Sequence, residues 1–121
     1  MTFPTNVKLT NAVVPPQLQA ILEQKLVTLE KYIGDETDVV CEVEFEKVAP
    51  KENGPVHRLE INLYVAGTLY RAEATANSFE MAIDEVRDEL DKEMRRNKSK
   101  RLTLLKKGGR KIKEEVLKAS S

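Results

Sequence analysis

Three segments of alternating apolar and polar residues lie between two segments with helical apolar spacing, and this change of period constrains the fold most. Apolar residues alternate over 39–45, 59–65 and 70–76, which is typical of strands with one buried face. Before and after them, apolar residues recur every three or four positions over 18–33 and 79–94, which is typical of amphipathic helices. A sheet with one apolar face needs helices on that face.

With a short strand at Phe3–Leu9, the element order becomes βαβββα. We therefore predict an α+β fold in which a four-stranded mixed sheet carries two helices on one face. Pro15 and Pro16 suit the first turn of the first helix, and Gly34 suits its end. Either Asn77 or Ser78 caps the second helix, which we expect to run to about Lys98 or Arg101.

A chain of 121 residues is one domain by length. We assign residues 1–101 to the βαβββα domain and residues 102–121 to a basic, flexible tail. No run of about 20 apolar residues that could span a membrane occurs, and we expect no secretory signal. Cys41 is the only cysteine, so a disulfide framework is excluded and a cytoplasmic location is expected.

A net charge of zero conceals two oppositely charged regions. Residues 1–91 contain 8 Lys and Arg against 17 Asp and Glu, a net charge of −9. Residues 92–121 contain 12 Lys and Arg against 3 Asp and Glu, a net charge of +9. Such asymmetry indicates a polyanionic partner, although a solvated basic tail would show it too.

The second helix changes sign along its length. Acidic residues dominate 80–91, and bases dominate 92–101. Compensation of the helix dipole explains charges in the first and last turns only. With Ile83 at 0°, Arg95, Lys92 and Arg96 project at about 120°, 180° and 220°. They point away from the core, where their charges suit phosphate groups.

Other functional classes have weaker support. The strands' polar face carries five glutamates and one aromatic residue, Tyr64, whereas base-stacking sheets need aromatic residues and positive charge. His57 is the only histidine, no nucleophile is adjacent in sequence, and a strand-edge role is expected. Cys41 falls on the apolar strand face as a core thiol. We expect no catalytic residues, metal, cofactor or small-molecule substrate.

Residues of three predicted elements resemble one known family. Val14–Leu18 and Lys25–Ile33 resemble the first helix of the ribosome hibernation promoting factors and ribosome-associated translation inhibitors. Gly67 with Arg71–Glu73 resembles their last strand, and Ser78–Asp84, Asp88–Met94 and Lys98 resemble their second helix. The similarity covers roughly residues 3–101 and includes the element order.

This resemblance implies a fold similar to double-stranded-RNA-binding domains and a non-enzymatic, cytoplasmic inhibitor of translation. Such proteins occupy the messenger and transfer RNA channel of the small ribosomal subunit in dormancy or stress, including stationary phase, and are expected to be monomeric off the ribosome. Outward helix bases contact ribosomal RNA in the family. Here that role falls on Lys25, Lys31, Lys92, Arg95, Arg96 and Lys98, with Lys100 and Arg101 added from the charge pattern.

Three departures from the family and two alternatives remain. Gln24 and Thr28 stand where many relatives carry bases, and Ser78 and Glu80 replace the usual Asp and Tyr at the start of the second helix. We also expect no pairing of ribosomes through the second domain that long relatives carry. The same bases would also suit a general RNA-binding module. A protein-interaction domain would instead associate through its acidic body and basic end. The sequence does not indicate whether ribosome pairing is promoted or prevented.

Overall fold

The computed structural model describes residues 3–50 and 52–106, with side chains described as far as Lys98. Four strands form one mixed sheet in the order β1-β2-β3-β4, and helices pack on one of its faces, which confirms the predicted fold class. The strands are β1 (Thr5–Thr10), β2 (Val39–Lys47), β3 (His57–Val65) and β4 (Thr68–Ala76). The helices are α1 (Pro16–Val27), α2 (Glu30–Ile33) and α3 (Phe79–Lys106).

The pairing of the strands follows from their connections. β1 pairs in parallel with β2, because α1 and α2 carry the chain back across the sheet between them. β2, β3 and β4 pair antiparallel. Ala66 and Gly67 join β3 to β4 with φ values of 49° and 84°, and two positive φ values in a two-residue loop suit a tight hairpin.

The predicted first helix is interrupted. Thr28 Oγ1 donates a hydrogen bond to the carbonyl oxygen of Lys25 at 2.6 Å, and the Leu29 amide bonds to Leu26 rather than to Lys25. These bonds tighten the chain between α1 and α2. The apolar stripe survives the interruption, since Leu26, Leu29 and Ile33 are all buried.

The predicted boundaries shift at both ends. β1 begins at Thr5 rather than Phe3, and Phe3 is buried in the core just before it. Ser78 caps α3 by accepting a hydrogen bond from the Met81 amide at 3.2 Å. The helix continues to Lys106, so the predicted domain boundary after Arg101 falls within it. The rest of the predicted tail, residues 107–121, lies outside the described residues.

One core joins the helices to the inner face of the sheet. Each large apolar side chain buried there contributes about 1.5–3 kcal/mol. Buried residues of β2 and β3 supply the inner face. The three helices and the residues between α1 and α2 cover it with Leu18, Leu22, Leu26, Leu29, Ile33, Phe79, Ile83, Val86, Leu90 and Met94. Because the apolar side of each helix is buried against the sheet, the charged sides of the helices face outward.

Ion pairs centred on Arg58 occupy the open face of the sheet. Arg58 lies within 4 Å of carboxylate oxygens of Glu44, Glu46, Glu60 and Glu73. Arg71 adds a contact with Glu60 at 3.0 Å. Much of the glutamate charge on this face is therefore compensated within the sheet. Partial burial alone would raise the pKa of Glu60, but hydrogen bonds from Asn62, Arg58 and Arg71 lower it.

The Glu60→Gln variant should lose about 1 kcal/mol of unfolding free energy near neutral pH. The contribution of Glu60 is present above its unfolded pKa of about 4.3 and is lost as the pH falls through the lower folded value. Urea unfolding at pH 7, 5 and 3 should show the difference from wild type shrinking with acidity. Glu42→Gln, on the same face without an ion pair among the described residues, serves as the control. A difference that is constant with pH would contradict this assignment.

Cys41 should be unreactive in the native protein. Its side chain is fully buried, and this burial is the main cause that raises the pKa of the thiol to about 12. The thiolate required by alkylating reagents is therefore scarce at pH 8. Labelling with iodoacetamide should proceed in denaturant and be at least tenfold slower without it. Equal rates in both conditions would show that the thiol is accessible.

Candidate nucleic-acid interface

Three polar contacts join the first helical segments to α3 along one seam. Lys25 pairs with Asp84 at 3.0 Å, and Arg87 Nε donates a hydrogen bond to Thr28 Oγ1 at 3.0 Å. The Tyr32 hydroxyl donates to Asp91 Oδ1 at 2.8 Å. The contact residues advance by three and then by four positions on both sides of the seam, which is the spacing of residues on one face of a helix. The segment formed by α1 and α2 therefore runs in the same direction as α3, in register with it.

The bases at the early end of this seam, where Lys25 and Arg87 lie, form ion pairs with carboxylates. Besides its Thr28 contact, Arg87 approaches Asp88 at 2.9 Å and Asp91 at 4.0 Å. Lys25 forms its ion pair with Asp84. Both cations thus lie beside acidic groups, and a phosphate would have to compete with those groups for them.

The bases at the later end of the seam, beyond Asp91, differ from these in having no acidic partners among the described residues. Lys92, Arg95, Arg96 and Lys98 are exposed, and none of them pairs with an acid within the described part of the chain. We call these four residues the C-terminal basic cluster. Met94, buried to 2% exposure, anchors this part of α3 to the core, and Asn97 donates a hydrogen bond to the Tyr70 hydroxyl of β4. These anchors hold the cluster on the outward side of a fixed helix.

Lys31 lies at the same end of the seam. It is exposed on α2, and its ammonium stands 5.2 Å from the centre of the Tyr32 ring, a cation–π arrangement. Since Tyr32 bonds to Asp91, the residue before Lys92, Lys31 and the start of the cluster lie at one level. Tyr32 thus links α2, which carries Lys31, to α3 one residue before Lys92.

The structure brings together part of the predicted site. Lys31, Lys92, Arg95, Arg96 and Lys98 share one end of the helical layer, whereas Lys25 lies two turns away in its ion pair. Lys100 and Arg101 belong to α3, but their side chains lie outside the described residues. Sequence reasoning missed Thr28, Tyr32 and Arg87 as seam residues. The matching spacing of 25, 28 and 32 with 84, 87 and 91 was the available signal.

Other chemistry finds little support in the described residues. Across 3–50 and 52–106, no three His, Cys, Asp or Glu side chains group as metal ligands. His57 stacks edge-on against Phe79 at 4.9 Å, and its buried Nδ1 has no partner among these residues. Within the same ranges, no helix combines the length and apolar character needed to cross a membrane.

Comparisons with known proteins identify a family and a shared fold. The family model described as sigma 54 modulation protein / S30EA ribosomal protein matches residues 5–102, and no curated protein matches the chain. The Thermus thermophilus Protein Y N-terminal domain is similar at 25% identity and a TM-score of 0.63, over 79% of this chain and 98% of that one. A ribosomal subunit interface protein from Coxiella burnetii shares the fold, with 14% identity and a TM-score of 0.64, over 80% and 99%.

The Tyr32→Phe variant tests the seam. Removing the hydroxyl leaves the largely buried Asp91 carboxylate without this donor, and the free energy of unfolding should fall by about 1 kcal/mol. Tyr64→Phe is the matched control, because Tyr64 is exposed and makes no side-chain hydrogen bond within the described residues. Urea unfolding of both variants measures the difference. An equal effect in both would show that the Tyr32 contact does not hold the helices together.

Proposed function

Because the chain belongs to the sigma 54 modulation protein / S30EA ribosomal protein family, whose members are ribosome-associated, we propose that it binds the small ribosomal subunit and inhibits translation. The match confirms the family inferred from the sequence. In this proposal the protein occupies the messenger and transfer RNA channel during dormancy or stress. The C-terminal basic cluster carries the proposal, since its four exposed bases lack acidic partners among the described residues.

The cluster suits ribosomal RNA for physical reasons. Its bases project from a helix anchored by Met94 and Asn97, so little ordering is required when they meet phosphates. Guanidinium groups form bidentate hydrogen bonds to phosphate, and lysine ammonium groups act as mobile point charges. Lys31 adds a base from α2 at the same end. We also propose that Lys100 and Arg101, which follow the cluster in the sequence of α3, contact ribosomal RNA.

The opposite side of the molecule supports one orientation on the ribosome. The open sheet face carries Glu42, Glu44, Glu46, Glu60 and Glu73, with Arg58 and Arg71 held in ion pairs among them. Lys8 of β1 is likewise paired with Glu44 at 3.7 Å. Among the described residues, this face therefore offers phosphate no cation outside an ion pair, and Tyr64 is a single exposed ring rather than a stacking platform. In this proposal the helical layer meets ribosomal RNA and the sheet faces away from it.

Occupancy of the channel predicts competition. A protein held there would exclude messenger and transfer RNA, so translation would be blocked without any catalysis. Saturating transfer RNA with messenger should therefore lower binding of the protein to small subunits. Binding that is unaffected by both ligands would place the protein elsewhere on the subunit. We further propose that the protein acts in the cytoplasm and is monomeric off the ribosome.

A general RNA-binding module is the second candidate, and the cluster favours it as well. Phosphate contacts position a protein on RNA but carry no sequence information. Equal affinity for small subunits and for an arbitrary RNA duplex would support this candidate over ribosome binding. Salt-sensitive self-association without RNA would instead support a protein-interaction domain.

The variant Arg95→Glu/Arg96→Glu tests the proposal by co-sedimentation with purified small subunits. Reversing two unpaired bases should weaken binding at least tenfold, since each loses a phosphate contact and adds repulsion. The log–log salt dependence should also become shallower by about two. Lys8→Glu/Lys47→Glu is the matched control, because it makes the same charge change on β1 and β2 and should leave binding within about twofold.

Either of two results would contradict this assignment. Unchanged affinity in the Arg95→Glu/Arg96→Glu variant would remove these residues from the interface. Equal weakening in both double variants would show that only net charge matters. Circular dichroism of each variant checks that the fold is retained.

A further inference from the structure

The outward side of α3 carries acids and bases in one continuous stripe. Asp84, Asp88, Lys92 and Arg95 project at about 100°, 140°, 180° and 120° from the Ile83 direction, so they share a face. The stripe changes sign between Asp91 and Lys92. A straight RNA backbone lying along α3 would therefore meet carboxylates over the first half and cations over the second.

The helix dipole does not account for these acids. Its effect is confined to the first turn, which contains Glu80. Asp84 lies in the second turn of α3, and Asp88 lies in the third. Their partners give a more specific explanation: Asp84 pairs with Lys25 at 3.0 Å, and Asp88 pairs with Arg87 at 2.9 Å.

The two engaged cations would otherwise lengthen the basic surface. Lys25 and Arg87 lie on the seam, on the same helical layer as the C-terminal basic cluster. From position 84 to position 98, α3 spans about 21 Å, whereas the cluster alone spans about 9 Å. If Lys25 and Arg87 were unpaired, the helical layer would present cations over roughly twice the length.

We infer that Asp84 and Asp88 are specificity-determining residues that withhold Lys25 and Arg87 from phosphate and confine RNA contact to the C-terminal half of α3. A phosphate approaching the first half must displace an ion pair and meets a like charge. A generic duplex, which offers phosphates along its whole length, thereby loses contacts, while a site shaped to the short cluster does not. Specificity arises here by weakening the wrong partner. The ligand class, RNA phosphate, rests on the function proposed above.

The Asp84→Asn/Asp88→Asn variant tests this inference with a 20-base-pair RNA duplex of arbitrary sequence, by fluorescence anisotropy at several salt concentrations. Removing both carboxylates frees Lys25 and leaves Arg87 with its hydrogen bond to Thr28 and its 4.0 Å contact with Asp91. Duplex affinity should therefore rise by about fivefold or more at low salt, and the log–log salt dependence should steepen by about one to two. Affinity for small subunits should rise less, so the preference for the subunit falls.

Glu23→Gln/Glu85→Gln is the matched control. It removes two exposed carboxylates from the same end of the helical layer, and neither carboxylate pairs with a base within the described residues. Duplex affinity should change by less than about twofold, and the salt slope should stay that of wild type. Equal gains in both variants would overturn the inference, because net charge alone would then explain them.

A second comparison tests whether the gain requires Lys25 and Arg87. In the Asp84→Asn/Asp88→Asn background, adding Lys25→Gln/Arg87→Gln removes the freed cations and should return the salt slope to that of wild type. A gain that persists without Lys25 and Arg87 overturns the inference. Failure of the wild-type protein to bind small subunits would contradict the proposed function alone, since the duplex measurements do not depend on it.

Discussion

The packing of the α3 apolar stripe against the sheet determines the rest of the molecule. Ile83, Val86, Leu90 and Met94 are all buried, and they recur at the spacing that places them on one face. Rotating the helix would expose these side chains and cost several kcal/mol. The outward directions of Asp84, Asp88, Lys92 and Arg95 follow from that one constraint. Burial on one side of α3 thus fixes the electrostatics of the other.

The extent to which acids and bases are paired differs between the two faces of the molecule. On the open sheet face, Arg58 and Arg71 form ion pairs with the surrounding glutamates. Neither arginine is therefore available to an anionic ligand. On the helical face, acids compensate only the bases at the early end of the seam. The later end keeps cations without acidic partners among the described residues. Zero net charge is therefore compatible with a strong local positive field.

Much of this arrangement follows from sequence, and the exceptions have identifiable causes. Alternation over 39–45 and 59–65 predicted β2 and β3 because each strand buries one face. The interruption at Thr28 was missed, since the apolar stripe runs through it and the decisive bond is local to the Lys25 carbonyl. The pairing of Lys25 with Asp84 was missed because it joins residues 59 positions apart in sequence. Charge patterns reveal which bases point outward, but not which of them are already paired.

This distinction between outward and available bases bears on how a small RNA-binding protein achieves selectivity. Every exposed cation adds affinity for any polyanion, so adding bases alone lowers discrimination. Acids that pair with selected bases, either on the same helix or across the seam, remove those bases from that general attraction without removing their contribution to the seam. In the proposed function, Lys25 and Arg87 stay in the contacts between the helices, while the C-terminal basic cluster binds phosphate. The length of the usable basic surface is then set by the acids beside it, and a ligand must match that short surface in shape to bind well.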